Sequence, residues 1–357
     1  MSIESLPQAG EQNHFTLVRL VAASAVIVGH SSLVALGPNA PDPFFVLGEY
    51  HLATTAVIAF FAISGYFVSM SFERRTSTFD FILARAARII PGLLAVSLIT
   101  TLLIGPLFTA LAPADYFSQA SVWLYPLRAT SVLRVMAARL PEMFPANPFP
   151  SGVNIPLWTL YYETACYAGL LVAGLLGLSR RFGLLLLLWI PAYLVARYGP
   201  WDELVPFARF SLPFVLGMAA YRYRSLAPFK GWAALSLLVV AGGLAWTGSG
   251  VEEIWSAAIG YGVLCLGFMR APLLLPFNQI GDFSYGTYIY GFMVQQSIAA
   301  VFPGIGLAGM IALAVPAAIL CGALSWHFVE RPAIDWRKRR AARGRLPSGA
   351  SDDSAPA

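Results

Sequence analysis

Apolar runs of about 20 residues, separated by polar or Pro/Gly-rich breaks, recur along the whole of this 357-residue chain. A helix needs about 20 predominantly apolar residues to cross the hydrocarbon of a bilayer. The chain is 58% hydrophobic and 11% charged, whereas soluble domains are about 25% charged. A soluble enzyme and a disordered chain are therefore excluded. We predict an all-α, polytopic membrane protein of about ten transmembrane helices, with crossings at 15–36, 48–70, 89–111, 156–178, 183–198, 204–222, 231–247, 252–270, 279–301 and 305–329.

The basic residues fall mostly on one side of these predicted crossings. If the N-terminus is cytoplasmic, most arginines and the seven basic residues from Arg331 to Arg345 lie on the cytoplasmic side. The exceptions, outside or in the outer halves of crossings, are Arg128, Arg134, Arg139, Arg197 and Arg209. Such a bias sets the orientation of inserted helices, so we predict a multi-pass protein of a bacterial inner (plasma) membrane with both termini cytoplasmic. Topology thereby accounts for most of the net charge of +5, and the predicted partners include the lipid bilayer but no nucleic acid.

A cleaved signal peptide ending near 34–37 is the alternative reading of the first run, and it would invert this topology. The leader before that run carries Glu4 and Glu11 rather than basic residues, and the later charges suit an uncleaved anchor. We therefore predict three regions. They are a cytoplasmic leader over 1–14, a membrane domain over 15–330, and a tail over 331–357 that is first basic and then disordered.

One long connection, 112–155, is predicted on the extracytoplasmic side. Its middle, Ser118 to Leu140, mixes aromatic and apolar positions with arginines, which is typical of a helix lying in the membrane interface. Prolines then exclude regular structure as far as the next crossing. Long structured loops often engage substrates, and a surface cover is the equally simple interpretation.

Four ionisable residues stand out inside predicted crossings: Arg19, His30, Glu163 and Arg209. A charge at mid-bilayer costs about 2.5–3.5 kcal/mol or more, so each needs a partner or a function. At about 1.5 Å per residue, His30 lies about 22 Å from the cytoplasmic edge, and Glu163 and Arg209 lie about 10 and 8 Å from the outer edge. The three therefore share one layer, and Arg19, eleven residues before His30, lies on the same helix face.

An imidazole oriented by a carboxylate can take a proton from a hydroxyl and return it to a leaving group. We accordingly predict His30 and Glu163 as catalytic residues. A histidine hydrogen-bonded to a neighbouring helix is the structural alternative. Cys166, three residues after Glu163, is a second candidate nucleophile, although an apolar environment disfavours the thiolate. Cys166, Cys265 and Cys321 show no metal-ligand spacing, so neither a metal site nor a disulfide is predicted.

Arg85 and Arg88 lie three residues apart, on one face at the predicted entrance of the third crossing. Two guanidinium forks on one face can grip an anionic group. The alternative is simple ion pairing with Glu73 and Asp80 combined with cytoplasmic anchoring. Trp158, at the outer start of the fourth crossing, is either an interfacial belt residue or a substrate platform.

These residues also carry a family likeness, because the chain resembles the integral-membrane acyltransferase family 3 over nearly its whole length. Five segments match the family's motifs in order. They are Arg19-x10-His30, Phe60-Phe61-Ala-Ile-Ser64-Gly-Tyr66, Arg85-Ala-Ala-Arg88-Ile-Ile-Pro91, Pro156-Leu-Trp158-Thr159-Leu-Tyr-Tyr-Glu163 and Phe283-Ser284-Tyr285-Gly-Thr-Tyr288. Two departures stand out: Gly291 occupies a position where many relatives have histidine, and Thr159 replaces the usual serine.

The resemblance implies an O-acyltransferase, with acetyl as the expected group. The donor would be cytoplasmic acyl-CoA, a co-substrate rather than a permanently bound cofactor. The acceptor would be a hydroxyl of an extracytoplasmic polysaccharide or a lipid-linked glycan. In this scheme Arg85 and Arg88, with Arg19, bind the CoA phosphates, and His30 oriented by Glu163 is the general base. Arg209 either stabilises the oxyanion or balances Glu163. Supporting roles fall to Ser64, Trp158, Arg209, Ser284 and Tyr285.

Two other classes of function stay open on sequence alone. One is a transporter or flippase of lipid-linked sugars, in which the buried polar residues would bind cargo without chemistry. The other is a structural or sensory membrane protein. The sequence makes no prediction of oligomeric state.

Overall fold

A computed structural model describes residues 13–46, 50–75, 77–133, 138–150, 152–226, 229–269 and 271–343. Helices dominate the described residues, and the strands form one two-residue hairpin, Phe45–Val46 (β1) with Tyr50–His51 (β2). The helices are α1 (Phe15–Leu36), α2 (Leu52–Glu73), α3 (Thr78–Ile99), α4 (Pro113–Ser118), α5 (Ala120–Thr130), α6 (Thr159–Leu175), α7 (Phe182–Tyr198), α8 (Val205–Arg222), α9 (Gly231–Trp246), α10 (Glu252–Gly267), α11 (Phe277–Ile280), α12 (Ser284–Val301), α13 (Gly306–Ser325) and α14 (Arg331–Arg343). The all-α prediction is confirmed.

Five helical segments of the described chain are long and apolar enough to cross a membrane: Phe15–Leu36, Leu52–Glu73, Thr78–Phe108, Asp202–Arg222 and Gly306–Arg340. The apolar helices α7 and α9 are shorter. A helix overlaps each of the ten predicted crossings, and α1 matches its prediction end to end. The number of crossings and the cytoplasmic location of the termini stay predictions.

The third crossing begins earlier than the sequence predicted. Helix α3 starts at Thr78, where the Ser77 side chain accepts a hydrogen bond from the Asp80 N–H at 3.0 Å. A wider π-turn (Thr100–Ile104) and a short helix (Gly105–Phe108) extend it. The hydropathy pattern left residues 78–88 out of the predicted crossing because Asp80, Arg85 and Arg88 are charged. An N-cap and good helix formers nevertheless suffice to extend the helix through these residues. Arg85 and Arg88 therefore lie two to three turns inside α3 rather than at its entrance.

Small residues bring the central helices into backbone contact. A Cβ on Gly65 of α2 would lie 2.0 Å from the Phe214 carbonyl oxygen of α8, and a Cβ on Gly217 would lie 2.1 Å from the Ala62 oxygen. Such close approach is typical of helix packing in membranes, where dispersion contacts replace the hydrophobic driving force. The buried core runs through α1, α2, α3, α6, α8 and α12.

The connection between α3 and α6 contains α4 and α5 and then a proline-rich segment. The predicted interfacial helix, Ser118 to Leu140, is realised as the shorter α5, and residues 134–137 lie outside the described residues. Asn147 donates to the Gln296 backbone oxygen at 2.9 Å and to its Oε1 at 2.8 Å. Gln296 in turn donates to the Phe149 and Gly152 carbonyls at 2.9 and 2.6 Å. The buried amides of α12 thus fix this segment over the bundle.

At the other end of the chain, α13 continues through a π-turn (Trp326–Glu330) into α14, which packs on α3. The basic part of the predicted tail is therefore helical as far as Arg343. The predicted leader, except for Asn13 and His14, and the rest of the predicted tail lie outside the described residues.

Candidate active site

A cavity of about 500 Å³ runs between α1, α2, α3, α6, α12 and α14. On α2 its lining extends from Ser71 to Val57, which is about 21 Å at 1.5 Å per residue. Its polar lining comprises Asn13, Thr16, Arg19, Ser64, Ser71, Arg85, Arg88, Thr159, Glu163, Tyr167, Asp282, Ser284, Tyr285, Tyr288, Arg337 and Lys338. Most residues selected from the sequence therefore meet in one elongated cavity, with the cations toward the end formed by α14 and the first turns of α1 and α12.

Two of the three predicted phosphate-binding arginines converge on one carboxylate. Arg19 Nη1 and Arg88 Nη2 lie 3.0 and 2.6 Å from Asp282 Oδ2. The Ser284 hydroxyl donates to Asp282 Oδ1 at 2.5 Å. Arg88 Nη1 also lies 3.8 Å from the fully buried Glu330. Sequence reasoning missed Asp282, although an acidic residue near the start of a predicted crossing, 279–301, was a usable signal.

Arg85 differs from Arg88 in having no carboxylate partner among the described residues. The ion pairs among the described residues do not include Arg85, whose guanidinium lies 5.9 Å from the centre of the Tyr167 ring. Its buried Nε has no hydrogen-bond partner there. The alternative of pairing with Glu73 and Asp80 is wrong. Asp80 pairs with Arg337 at 3.0 Å, and Glu73 accepts a hydrogen bond from the Tyr221 hydroxyl at 2.8 Å.

Glu163 lies deeper in the cavity, within a group of hydroxyls. Its Oε1 accepts hydrogen bonds from Ser64, at 3.2 Å, and from the Tyr167 hydroxyl, and these two oxygens lie 2.9 Å apart. Near the inner end, Thr159 Oγ1 lies 2.5 Å from the Tyr288 hydroxyl, so the serine-to-threonine departure keeps its hydroxyl in use. The hydroxyls and the carboxylate in this part of the cavity can form hydrogen bonds with the uncharged polar groups of an extended ligand.

His30 is held on α1 beyond the inner end of the cavity and does not line it. Its Nδ1 lies 2.8 Å from the Val26 carbonyl oxygen, which can only accept, so Nδ1 carries the proton and Nε2 has the lone pair. A Cβ on the adjacent Gly29 would lie 2.7 Å from the Ala53 nitrogen, and the cavity ends at Val57, one turn further along α2. Along the helix axis, the level of His30 is therefore about one helical turn beyond the end of the cavity.

The predicted pairing of His30 with Glu163 is wrong: among the described residues no hydrogen bond joins them. The His30 ring instead faces His51 and Phe292, with ring centres 6.2 and 5.7 Å away. Depth estimates place residues along the bilayer normal but not around it, and this is why a shared layer did not become a contact.

The carboxylate near His30 is Asp42, which contacts His51, and the His51 ring in turn lies beside His30. Asp42 Oδ2 lies 2.8 Å from His51 Nε2, and His51 Nδ1 accepts a hydrogen bond from the Ala53 N–H at 3.2 Å. Ser32 and the Phe44 N–H each donate to Asp42 Oδ1 at 2.9 Å. Burial acts to raise the pKa of Asp42, but these hydrogen bonds and His51 together lower it below the ordinary value of 3.8. Asp42 is therefore a stable anion behind the His51 ring.

Arg209 is not a partner of Glu163. Its guanidinium pairs with Glu252, through Nε to Oε1 and through Nη2 to Oε2 at 3.3 Å. Arg197 contacts the same carboxylate at 3.2 Å. Arg209 does not line the cavity, and we assign these charges to the packing of α7, α8 and α10.

The remaining predicted site residues pack around the cavity. Trp158 is half-buried against Tyr162 and Phe210, with ring centres 5.4 and 5.5 Å away. The Tyr285 hydroxyl donates to the Ile89 carbonyl at 2.8 Å, and Arg88 lies 5.8 Å from the centre of its ring. Cys166 lies outside the cavity lining.

The departure at Gly291 also has a structural explanation. A Cβ there would lie 2.7 Å from Ile27 on α1, so α1 and α12 are in close contact where relatives carry histidine.

The fold and this cavity define a class: a helical membrane protein with a polar, cation-lined interior. The sequence profile of a family described as an acyltransferase domain matches residues 13–328, and the chain belongs to that family. It is 28% identical to an "O-acetyl transferase" of Shigella phage Sf6, over 90% of this chain and 96% of the relative. It is 29% identical to "Nodulation protein 10" of Rhizobium leguminosarum bv. viciae, over 94% of this chain and 96% of the relative. No solved structure matches the chain.

Proposed function

We propose that this protein is a membrane O-acetyltransferase that moves an acetyl group from acetyl-CoA on the cytoplasmic side to a hydroxyl of a polysaccharide or lipid-linked glycan on the other side. The observation that carries the proposal is the cavity that leads from a group of cations to within about one helical turn, along the helix axis, of the level of His30. Family membership and a relative named O-acetyl transferase support the reaction type.

The donor would enter with its acyl end first. Arg85 is the cation best suited to its pyrophosphate, because Arg19 and Arg88 are already paired with Asp282. The pantetheine arm would follow the cavity past Ser64 and Glu163, whose oxygens offer hydrogen-bond partners to its amides. The thioester would then lie near the hydroxyls of Tyr288 and Thr159 at the inner end.

The chemistry needs one base that later becomes an acid. His30 Nε2 would take the proton of the acceptor hydroxyl while its oxygen attacks the thioester carbonyl. The tetrahedral intermediate would then collapse with cleavage of the C–S bond, and the imidazolium would return the proton to the CoA thiolate. Asp42, behind His51, would stabilise the imidazolium electrostatically, the role that the sequence had assigned to Glu163. Glu163 would act on the donor side, where its hydrogen bonds place it.

The test is transfer of radiolabel from acetyl-CoA to glycan in isolated membranes. Wild-type membranes should label the glycan fraction, and His30→Ala should reduce labelling at least 100-fold, the lower end of general-base contributions. His327→Ala, a histidine on the π-turn after α13 and outside the cavity lining, is the matched control and should label normally. Normal labelling by His30→Ala would refute the mechanism, and wild-type membranes that translocate glycan without labelling it would favour a flippase.

A further inference from the structure

Helix α14 is fixed to the same helix that carries Arg85. Arg337 Nη1 lies 3.0 Å from Asp80 Oδ1, with 19% and 22% of the two side chains exposed. Asp80 is in the first turn of α3, five residues before Arg85, which is about 7.5 Å along the axis. The contact between Arg337 and Asp80 thus anchors α14 about 7.5 Å along α3 from Arg85, at the end of the cavity that α14 lines.

One face of α14 contributes to the cavity. Ile334, Arg337 and Lys338 line it, and their spacing of three and four residues places them on one side of the helix. The opposite face carries Trp336 and Arg340, whose guanidinium lies over the Trp336 ring at 5.6 Å, and neither lines the cavity. The basic residues of α14 therefore divide into a cavity-facing set and an outward-facing set.

The cavity-facing cations differ in how well they are neutralised. Arg337 is paired with Asp80 in a half-buried contact. Among the residues that the structure describes, Lys338 has one acidic partner, Asp335 at 3.7 Å, and the two side chains are 63% and 40% exposed. Exposed pairs of this kind contribute little and exchange readily with water. Lys338 can consequently pair with an incoming anion without first losing a strong partner.

A CoA thioester carries anionic groups at two places, the pyrophosphate and the ribose 3′-phosphate. A donor inserted with its acyl end first has its 3′-phosphate outermost. The cavity likewise offers two cations: Arg85, which is half-buried and has no ion pair among the described residues, and Lys338, which is loosely paired at the end formed by α14. We infer that the cavity-facing side of α14 is a binding site for the 3′-phosphate of CoA, with Lys338 as the specificity-determining residue and Arg337 beside it.

This inference rests on the proposed function and narrows its donor. A phosphopantetheine arm on a carrier protein lacks the adenosine 3′-phosphate, so a site built for that phosphate selects free CoA thioesters. The arrangement does not depend on which glycan accepts the acetyl group, and it can be tested by binding alone.

The experiment measures the Kd of CoA and of 3′-dephospho-CoA by titration calorimetry on the full-length protein in nanodiscs. The wild type should bind CoA about tenfold more tightly than 3′-dephospho-CoA, as expected for one charge-assisted contact. Lys338→Ala should weaken CoA binding about tenfold and leave 3′-dephospho-CoA unchanged. Arg340→Ala, on the outward face of the same helix, should leave both affinities unchanged.

Equal affinities in the wild type would overturn the inference and assign the cations of α14 to the membrane surface. An equal loss of affinity for both ligands in Lys338→Ala would also overturn it, because Lys338 would then bind a group that both ligands share. Arg85→Ala reports separately on the proposed function, because it should weaken both ligands alike. If the wild type binds neither ligand, the proposed donor fails and this inference fails with it. If the wild type binds both equally and Arg85→Ala weakens both, only the inference about α14 fails.

Discussion

At the scale of single residues, the proposed mechanism depends on which carboxylate lies near His30. Depth in the membrane predicted Glu163 as the carboxylate beside His30. In the structure that carboxylate is Asp42, which contacts His51 next to the His30 ring. Asp42 lies in a polar loop, where charged residues are ordinary, so nothing in its surroundings distinguished it. Residue type, depth and spacing selected Arg19 and Arg88, which line the cavity, and His30, which lies beyond its inner end. Their partners could not be predicted, because rotation about each helix axis is set by packing.

Asp42→Asn should lower the kcat of acetyl transfer about tenfold and change the KM for acetyl-CoA little, because the anion acts on the imidazolium and not on the donor. Asp202→Asn, an exposed acidic residue before α8, should leave both constants unchanged. A rise in KM with an unchanged kcat would move Asp42 from the acid–base chemistry to substrate binding.

The lowered pKa of Asp42 has a consequence for stability as well. A carboxylate whose folded pKa lies below its unfolded value of 3.8 stabilises the fold above that pH, and the contribution disappears as pH falls through the folded pKa. The Tm of the wild type should therefore exceed that of Asp42→Asn by a constant amount from pH 8 to about pH 5, and the difference should close below about pH 4. Thermal unfolding of both proteins across this range checks the sign.

At the scale of elements, α3 carries two arginines whose replacement should have opposite consequences. Arg85→Ala should raise the KM for acetyl-CoA about tenfold or more with little change in Tm, because Arg85 has no carboxylate partner among the described residues. Arg88→Ala should instead destabilise the protein by about 3 kcal/mol, since it leaves the buried Glu330 without its cation and Asp282 with Arg19 alone.

The double variant Arg88→Ala/Glu330→Gln separates these effects, because it also removes the buried carboxylate that Arg88→Ala leaves without a cation and should restore part of the lost Tm. Steady-state kinetics and thermal unfolding of the three proteins in detergent provide the measurements. Equal losses of stability in Arg85→Ala and Arg88→Ala would contradict the conclusion that ion pairs of Arg88, and not of Arg85, stabilise the fold.

The proline-rich segment between α5 and α6 offers a second prediction about an element. Gln296→Leu removes two donated hydrogen bonds and leaves the Phe149 and Gly152 carbonyls and the Asn147 amide short of partners. Hydrogen exchange over residues 141–156 should accelerate, while exchange in the α2–α8 pair should not change. Gln119→Leu, at an exposed position before α5, is the control, and equal protection in wild type and Gln296→Leu would show that other contacts hold the segment.

At the scale of the whole molecule, the order and positions of the apolar helices followed from hydropathy, and α1 was predicted to the residue. The start of α3 was missed because charged residues interrupt the apolar pattern without interrupting the helix. The cavity could not be predicted, since it arises where six separate elements enclose it. Membership of the acyltransferase family followed from motif order, which does not depend on how the helices pack.

The central claim is that the cavity delivers an acetyl group from CoA on one side of the membrane to His30 and an acceptor on the other. Proteoliposomes of uniform orientation, with labelled acetyl-CoA supplied only to the face that bears α14 and glycan only to the opposite face, test this most directly. The wild type should produce labelled glycan, and His30→Ala should reduce this labelling at least 100-fold. Labelling that requires donor and acceptor on the same face, or that persists in His30→Ala, would contradict it.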